Sequence, residues 1–301
     1  MSLEPAQDSG APVGPAHARA RRVTIAGMTT NVRDLLRFDG TRRDPGEHPG
    51  AKDKASGRRE VAQMGPELAE LQEQLFANGK LGGSRSVLLV LQGRDACGKD
   101  GTVKHVVGQV NPAGCRITSF GAPTKLELTH PFLWRIDKAV PSGGQLGVFN
   151  RSHYEDVLVA RVHALVPRTV WSRRYAEINA WEQRVSAAGT TIVKVLLDVS
   201  PDEQQERLLA RLDDPSKHWK VGPADISERR RWKDYQAAYD AVLAKTSTEL
   251  APWYVVPADR KWYRDWAISS LLLETLRELD LTWPTPDGVD LEAMRRDLLA
   301  D

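Results

Sequence analysis

The chain has 301 residues, of which 41% are hydrophobic and 27% are charged, and this ordinary globular composition implies that most of it buries a core. Its 42 Lys and Arg residues nearly balance its 40 Asp and Glu residues, so the net charge of +2 neither demands nor excludes a polyanionic partner. A disulfide framework is excluded because Cys97 and Cys115 are the only cysteines, which suits a reducing cytoplasm, and no apolar run is long enough to span a membrane.

The N-terminal region differs in composition from the rest of the chain. Residues 1 to about 20 and 39–58 lack hydrophobic periodicity and are rich in Gly, Pro, Ala or charges, so we expect residues 1–57 to form a partly disordered extension. A short apolar patch between these stretches is expected to dock on the domain surface; it consists of Val32, Leu35, Leu36 and Phe38.

From residue 60 onward, the pattern alternates between strands and helices. Apolar runs predict buried strands over Ser86–Leu91, Arg116–Phe120, Gly147–Asn150, Thr190–Val199 and Trp253–Val256. Apolar spacing and capping residues predict helices over Val61–Ala77, from Gly98, from Ser200 through Leu212, and over Trp262–Leu279. This alternation is typical of an α/β fold whose parallel sheet is covered on both faces. We expect one domain over residues 58–283 and a tail over residues 284–301.

Two further helix starts are indicated by capping-box spacing, in which a Ser or Thr is followed three residues later by Glu. The first box, Thr124 with Glu127, predicts a helix through about Lys138. The second box, Ser152 with Glu155, predicts a helix directly after the third strand.

A phosphate-binding loop follows the first strand directly and opens a helix. Residues 93–99 read GRDACGK, which matches the Walker A pattern G-x-x-x-x-G-K. The glycines let backbone N–H groups surround a phosphate at a helix N-terminus, and Lys99 adds a positive charge. A glycine-rich turn with a surface lysine is the alternative, but a buried strand feeding the loop argues against it.

The residue after this lysine departs from the general motif. Asp100 stands where most such loops place a Ser or Thr that holds Mg²⁺. Either Thr102 or a nearby carboxylate must then take over, and Asp95 within the loop is the natural candidate. The alternative for Asp95 is that it only forms the turn.

A second cluster lies at the end of the third strand, where residues 148–156 read VFNRSHYED. Nucleoside-monophosphate kinases keep a metal-linked acid and a phosphate-binding Arg at such a strand end, and here those positions hold Asn150 and Arg151. The carboxylates Glu155 and Asp156 follow in the next turn. They are candidate metal ligands, although Glu155 could instead complete its capping box and Asp156 could favour the helix dipole.

A third cluster is basic and spans two predicted helices and the loop between them. Its members are Arg207, Arg211, Lys217, Lys220, Arg229, Arg230, Arg231 and Lys233. Acidic residues are interspersed, so a solvated surface is one interpretation. The other is a lid over phosphates, over about residues 207–235, because the connecting loop combines Lys with Pro, Gly and Trp.

Together these clusters make the chain similar to the polyphosphate kinase 2 family. The resemblance covers roughly residues 58–280 and rests on four segments: residues 93–101 (GRDACGKDG), 149–157 (FNRSHYEDV), 214–220 (DPSKHWK) and 251–253 (APW), with Lys261 following. Asn150, where other members carry Asp, resembles the family's class III, and Cys97 replaces a usual alanine. The resemblance implies a thymidylate-kinase-like P-loop fold with a helical lid, and Mg²⁺- or Mn²⁺-dependent phosphoryl transfer between inorganic polyphosphate and nucleotides.

The resemblance also implies roles for individual residues. Asp95, Lys99 and Arg151 would be catalytic; Asp95, Glu155 and Asp156 would support the metal; and Asn150, Glu155 and Asp156 would face the nucleotide. Phosphate and polyphosphate would be bound by Gly93, Arg94, Gly98, Lys99, Asp100, Gly101, Thr102, Arg151, Arg211, Lys217, Lys220 and Arg229.

The function expected from this resemblance is phosphorylation of AMP to ADP and of ADP to ATP, in the cytoplasm, by a homo-oligomer. Guanine nucleotides are alternative acceptors, and neither nucleic acid nor a membrane is an expected partner. An ATP-dependent nucleoside-monophosphate kinase of the same fold is the nearest alternative function. A non-catalytic P-loop module that binds polyphosphate or nucleotide is a second, although its carboxylates would then serve no purpose beside a polyanion.

Overall fold

The computed structural model describes residues 31–300, and the expected disorder of residues 1 to about 20 lies outside this range. A five-stranded parallel sheet in the order β2-β3-β1-β4-β5 forms its centre. The strands are β1 (Ser86–Gln92), β2 (Cys115–Ser119), β3 (Leu146–Asn150), β4 (Thr190–Asp198) and β5 (Trp253–Pro257). All five predicted strands are present, so the expected α/β fold with a parallel sheet is confirmed.

The α-helices are α1 (Val32–Leu36), α2 (Lys54–Lys80), α3 (Lys99–His105), α4 (Trp134–Asp137), α5 (Val159–Val162), α6 (Arg168–Ala187), α7 (Pro201–Leu212), α8 (Pro223–Arg230), α9 (Trp232–Thr246), α10 (Lys261–Glu278) and α11 (Leu291–Ala300). Ser200 caps α7 as predicted, because its side chain accepts a hydrogen bond from the Glu203 N–H. None of the helices in the described range is long and apolar enough to cross a bilayer.

The central strand β1 explains the three-layer packing. Every residue of β1 is buried, and alternate side chains point to opposite faces of the sheet. Leu89 belongs to a core that also holds apolar side chains of α2 and α10, whereas Val90 belongs to a core shared with α6 and α9. The continuous apolar run of β1 is therefore the signature of a strand covered on both faces.

The segment before α2 packs on the domain more extensively than expected. Val32 and Leu36 are buried in the core, which confirms the docking of the apolar patch. The expected disorder of residues 39–58 is wrong, because α2 begins at Lys54 and the preceding loop is tied to the domain. Tyr263 donates a hydrogen bond to the Pro49 carbonyl (2.8 Å). These contacts join residues far apart in sequence, so local composition could not indicate them.

Neither predicted capping box opens a helix of the expected length. Thr124 and Glu127 do exchange hydrogen bonds, but the helix through Lys138 is absent, and a single 3₁₀ turn (Glu127–Thr129) is followed by the four-residue α4. Pro131 explains the break, because proline lacks an N–H and disfavours helical geometry at the residue before it.

The second box is replaced by a different arrangement. The Ser152 side chain accepts its hydrogen bond from the Tyr154 N–H (3.2 Å), and residues His153–Asp156 form a 3₁₀ turn rather than an α-helix. Glu155 lines a cavity instead of turning back to cap Ser152. The carboxylate is thereby available for chemistry.

Candidate active site

Two glycines of the phosphate-binding loop are required by its geometry. The loop follows β1 at the carboxyl edge of the sheet, where ligands of open α/β sheets bind. Gly93 has φ +147°, and a Cβ there would lie 2.6 Å from the Leu197 carbonyl oxygen. Gly98 has φ +113°, and a Cβ there would lie 2.1 Å from a guanidinium nitrogen of Arg264. Both glycines are therefore required by the backbone geometry of the loop and by its close approach to neighbouring atoms.

Lys99 lies inside this loop at the start of α3. The residue is buried, and its Nζ donates hydrogen bonds to the carbonyl oxygens of Gly93 (2.7 Å) and Arg94 (3.2 Å). Its ammonium group is thus held within the loop that surrounds the phosphate position, and its positive charge has no carboxylate partner in the described range. An anion bound by the loop would receive that charge.

The loop is clamped from behind by Arg207 of α7, which sequence reasoning placed on the lid surface. Its guanidinium donates to the carbonyl oxygens of Ala96 (2.9 Å) and Cys97 (3.0 Å) in the loop. It also donates to the carbonyl oxygens of Ala258 (2.6 Å) and Asp259 (3.0 Å) after β5. The clamp holds Ala96 at φ +62°, a backbone conformation that non-glycine residues seldom adopt.

Arg151 and Asp95 face each other across the edge of the sheet. Arg151 follows β3 with φ +63°, and its N–H donates to the carbonyl oxygen of Leu91 in β1 (3.1 Å). Its guanidinium donates to a carboxylate oxygen of Asp95 (2.8 Å). The structure thus brings together the three predicted catalytic residues, since Lys99 belongs to the same loop as Asp95.

A cavity of about 270 Å³ opens beside this pair. Its polar wall contains Asp95, Arg151, Glu155 and Arg229, all of which were predicted site residues. Burial raises the pKa of Glu155 above its ordinary value, although the positive charges of Arg151 and Lys99 oppose that shift. A bound cation would favour the ionised form of this carboxyl group.

The other wall of the cavity is aromatic, and sequence reasoning missed it. Trp232, Tyr235 and Tyr239 of α9 line the cavity, together with His163 and Glu228. Glu228 accepts a hydrogen bond from Tyr235 (2.5 Å) and contacts Nε2 of His163 (2.9 Å). The spacing of the three aromatic residues is that of one helical face, which the sequence alone does not distinguish from an ordinary core-facing stripe.

Asp100 and Asn150 lie together at the mouth of the loop. The Asn150 amide donates to one carboxylate oxygen of Asp100 (3.0 Å), and Lys220 donates to the other (2.9 Å). The hydrogen bond from Lys220 is the largest of the effects that lower the pKa of Asp100. The predicted specificity residue Asn150 is therefore connected to the predicted lid through the unusual residue of the Walker A motif.

Among the other predicted residues, Arg94 lines the cavity, whereas Thr102 and Asp156 use their side chains elsewhere. The Arg94 guanidinium stacks on Trp232, 3.9 Å from the ring centre, and lies 3.8 Å from the carboxylate of Asp198. The Thr102 hydroxyl donates to the Gly98 carbonyl (3.4 Å) inside α3. Asp156 pairs with Arg174 (3.0 Å), outside the cavity lining, so it is not brought to the metal position expected for it.

The lid residues fall into two groups. Arg229 reaches the cavity while donating to the side-chain oxygen of Gln204 (2.9 Å). Lys217, Lys220 and Arg211 lie outside the cavity lining, and each faces one carboxylate: Asp214 at 2.7 Å, Asp100 at 2.9 Å and Asp225 at 4.0 Å, respectively.

The predicted metal ligands are only partly assembled. Within residues 31–300, no group of three or more His, Cys, Asp or Glu side chains has the arrangement of a metal site. Asp95 and Glu155 nevertheless line one cavity, beside a loop suited to phosphate. Mg²⁺ is commonly held by one or two carboxylates together with substrate phosphates, so this pair fits such an ion.

A buried ion pair lies behind the Arg151–Glu155 turn. Lys194 of β4 donates to Glu182 of α6 (2.6 Å), and Tyr154 also donates to Glu182 (2.6 Å). All three side chains are buried, and none of them lines the cavity, so the turn is also fixed by contacts within the core.

Comparison with known proteins finds one matching family and relatives with similar names. The model of the family "Polyphosphate kinase 2 (PPK2)" matches residues 51–282. An AMP/ADP-polyphosphate phosphotransferase of Meiothermus ruber is 48% identical over 254 residues, which are 84% of this chain and 92% of that protein. An ADP-polyphosphate phosphotransferase of Rhodopseudomonas palustris is 43% identical over 247 residues, covering 77% of this chain and 84% of that protein.

A solved structure has a similar fold. The crystal structure of polyphosphate kinase 2 from Arthrobacter aurescens superposes with a TM-score of 0.88 at 49% identity, covering 90% of this chain and 98% of that one. The predicted P-loop kinase fold is thereby confirmed.

Proposed function

The chain belongs to the polyphosphate kinase 2 family, and we propose that it transfers phosphoryl groups from inorganic polyphosphate to nucleoside mono- and diphosphates. AMP would yield ADP, and ADP would yield ATP. The observation that carries this proposal is the enclosed Lys99 beside the Asp95–Arg151 pair at the cavity. This arrangement combines a phosphate cradle, two cations and a carboxylate at a single edge of the sheet.

Phosphoryl transfer needs positioning and charge neutralisation more than covalent chemistry from the protein. The backbone N–H groups of residues 93–99 and the Lys99 ammonium would hold the transferred phosphate. Arg151 would neutralise charge that develops on the phosphate oxygens. Its guanidinium would then contact both the Asp95 carboxylate and the substrate phosphate. The buried Tyr154–Glu182–Lys194 group would keep the Arg151 turn in place during the reaction.

The chemistry of the donor set suits a divalent metal, and we assign it as Mg²⁺, with Mn²⁺ as a substitute. Asp95 and Glu155 would hold the ion together with substrate phosphate oxygens. When bound, the ion would neutralise phosphate charge and orient the reacting oxygens. Asp95 also accepts a hydrogen bond from Arg151, so its carboxylate would contact both the Arg151 guanidinium and the metal ion.

The two substrates would use different surfaces. An acceptor nucleotide carries a base, and the aromatic wall formed by Trp232, Tyr235 and Tyr239 is suited to it. Polyphosphate has no base and one charge per repeating unit, so a track of cations is sufficient. The lid, over residues 207–235, supplies Lys217 and Lys220 outside the cavity. We place this kinase domain over residues 58–283 and the reaction in the cytoplasm.

The direct test is product formation without ATP. Purified protein should form ADP from AMP, and ATP from ADP, when supplied with polyphosphate and Mg²⁺, and EDTA should stop both reactions. A matched reaction with AMP and ATP but no polyphosphate tests the alternative kinase. Turnover only in that second reaction would identify an ATP-dependent nucleoside-monophosphate kinase, and binding without turnover in either would identify a non-catalytic module.

A further inference from the structure

Asp100 follows the loop lysine, and its carboxylate faces an amide and a lid lysine. It lies in the first turn of α3, directly after Lys99, and its side chain is 63% exposed. Both carboxylate oxygens are nevertheless occupied, one by the Asn150 amide at 3.0 Å and the other by the Lys220 ammonium at 2.9 Å. A residue of the first turn of α3 thus holds a residue of the lid.

We propose that Asp100 is a positioning residue that stations the lid lysine Lys220 at the mouth of the phosphate-binding loop. The proposal rests on the proposed function for the identity of the incoming substrate, a linear polyphosphate. Exposed ion pairs are weak, so a polyanion of many charges can take Lys220 from a single carboxylate. The lysine is then already beside the loop when the polyphosphate chain arrives.

The residue at position 150 supports this assignment. An amide can donate a hydrogen bond to Asp100, whereas a carboxylate at the same place would set two negative charges about 3.0 Å apart. The Asn150 amide therefore stabilises the Asp100 carboxylate, whereas a second carboxylate would repel it. Asn150 contacts only one oxygen of Asp100, so the other oxygen can accept a hydrogen bond from Lys220.

Hydrogen exchange of the lid in the substrate-free protein tests the contact without any need for turnover. Peptides covering residues 215–220 should exchange about two- to fivefold faster in Asp100→Asn and in Lys220→Met. The double variant should be no faster than either single variant. Glu206→Gln is the matched control, because it removes an exposed carboxylate that forms no ion pair within residues 31–300 and should leave lid exchange unchanged. Exchange of the β1 peptide reports whether each variant is folded, and Asp100→Ser is the replacement should Asp100→Asn fail to fold.

Kinetics then separate positioning from general charge. Asp100→Asn should raise the KM for polyphosphate about two- to fivefold, because Lys220 is no longer held beside the loop. The same substitution in the Lys220→Met background should change that KM little. An equal fall of the KM for polyphosphate in both backgrounds would mean that Asp100 only repels polyanions, and it would overturn the proposal. Unchanged hydrogen exchange of the lid in Asp100→Asn would also overturn it. If the wild-type protein did not use polyphosphate, the exchange experiment would still decide whether Asp100 holds the lid.

Discussion

The cations of this protein are held in two different ways on the two sides of the site. At the phosphate-binding loop, Lys99 of the loop and Arg207 of α7 are each 8% exposed and donate to backbone carbonyl oxygens, and Arg207 also pairs with Glu203 on its own helix (2.7 Å). In the lid, the side chains of Lys217 and Lys220 are 50% and 29% exposed, and each faces one carboxylate.

This difference separates cations with fixed partners, at the phosphate-binding loop, from lid lysines that can exchange their partners. A buried charge is costly unless its hydrogen bonds are satisfied, so the loop cations have one geometry and define where the reacting phosphate lies. An exposed ion pair contributes about 0–1 kcal/mol, so a lid lysine can change partner at little cost. Such a lid suits a donor that presents the same phosphate unit repeatedly.

The largest expected effect is the loss of the loop cation. Lys99→Ala should lower kcat/KM about a thousandfold, which is about 4 kcal/mol of transition-state stabilisation, while the fold is retained. Steady-state kinetics with circular dichroism on the same sample would check both statements. A folded variant with half the wild-type activity would place the phosphate site elsewhere.

The second prediction compares two arginines one helical turn apart on α7. Arg207→Met should destabilise the protein by about 3 kcal/mol or more, because it leaves buried carbonyl oxygens without partners. Arg211→Met should cost less than about 1 kcal/mol, since Arg211 only approaches Asp225 at 4.0 Å. Chemical denaturation of both variants would measure the difference, and similar midpoints would mean that the clamp does not support the loop.

The third prediction concerns the carboxylate shared by Arg151 and the proposed metal. Asp95→Asn should reduce kcat about a hundredfold, because charge neutralisation at the transferring phosphate is impaired. Polyphosphate affinity, measured by calorimetry, should stay constant or increase, since a negative charge beside a polyanion is removed. Parallel losses of turnover and affinity would instead indicate a structural Asp95.

The elements that could be predicted from sequence are those with a local physical signature. A strand buried on both faces and a loop needing glycine at φ +147° and +113° leave recognisable patterns, so β1 and Lys99 were placed correctly. The aromatic wall was missed, because Trp232 and Tyr239 have the spacing of any buried helical face. The contacts of Arg207 and Asp156 could not be predicted, because their partners are distant in sequence and charge composition does not indicate burial.

The smallest expected effect tests the division between loop and lid most directly. In the Lys217→Ala/Lys220→Ala double variant, the KM for long polyphosphate should rise about fivefold, because two exposed cations of its track are lost. Binding of a polyanion displaces counterions, so this KM should also depend less steeply on salt than in the wild type. The KM for ADP should change less than about twofold, since the acceptor also uses the aromatic wall.

Both KM values, measured across one salt series in wild type and double variant, decide the matter. A selective rise and a flatter salt dependence for polyphosphate are the predicted result. An equal rise in the KM for ADP would contradict the account, because the lid would then serve the nucleotide, and an ATP-dependent kinase of the same fold would explain the site better.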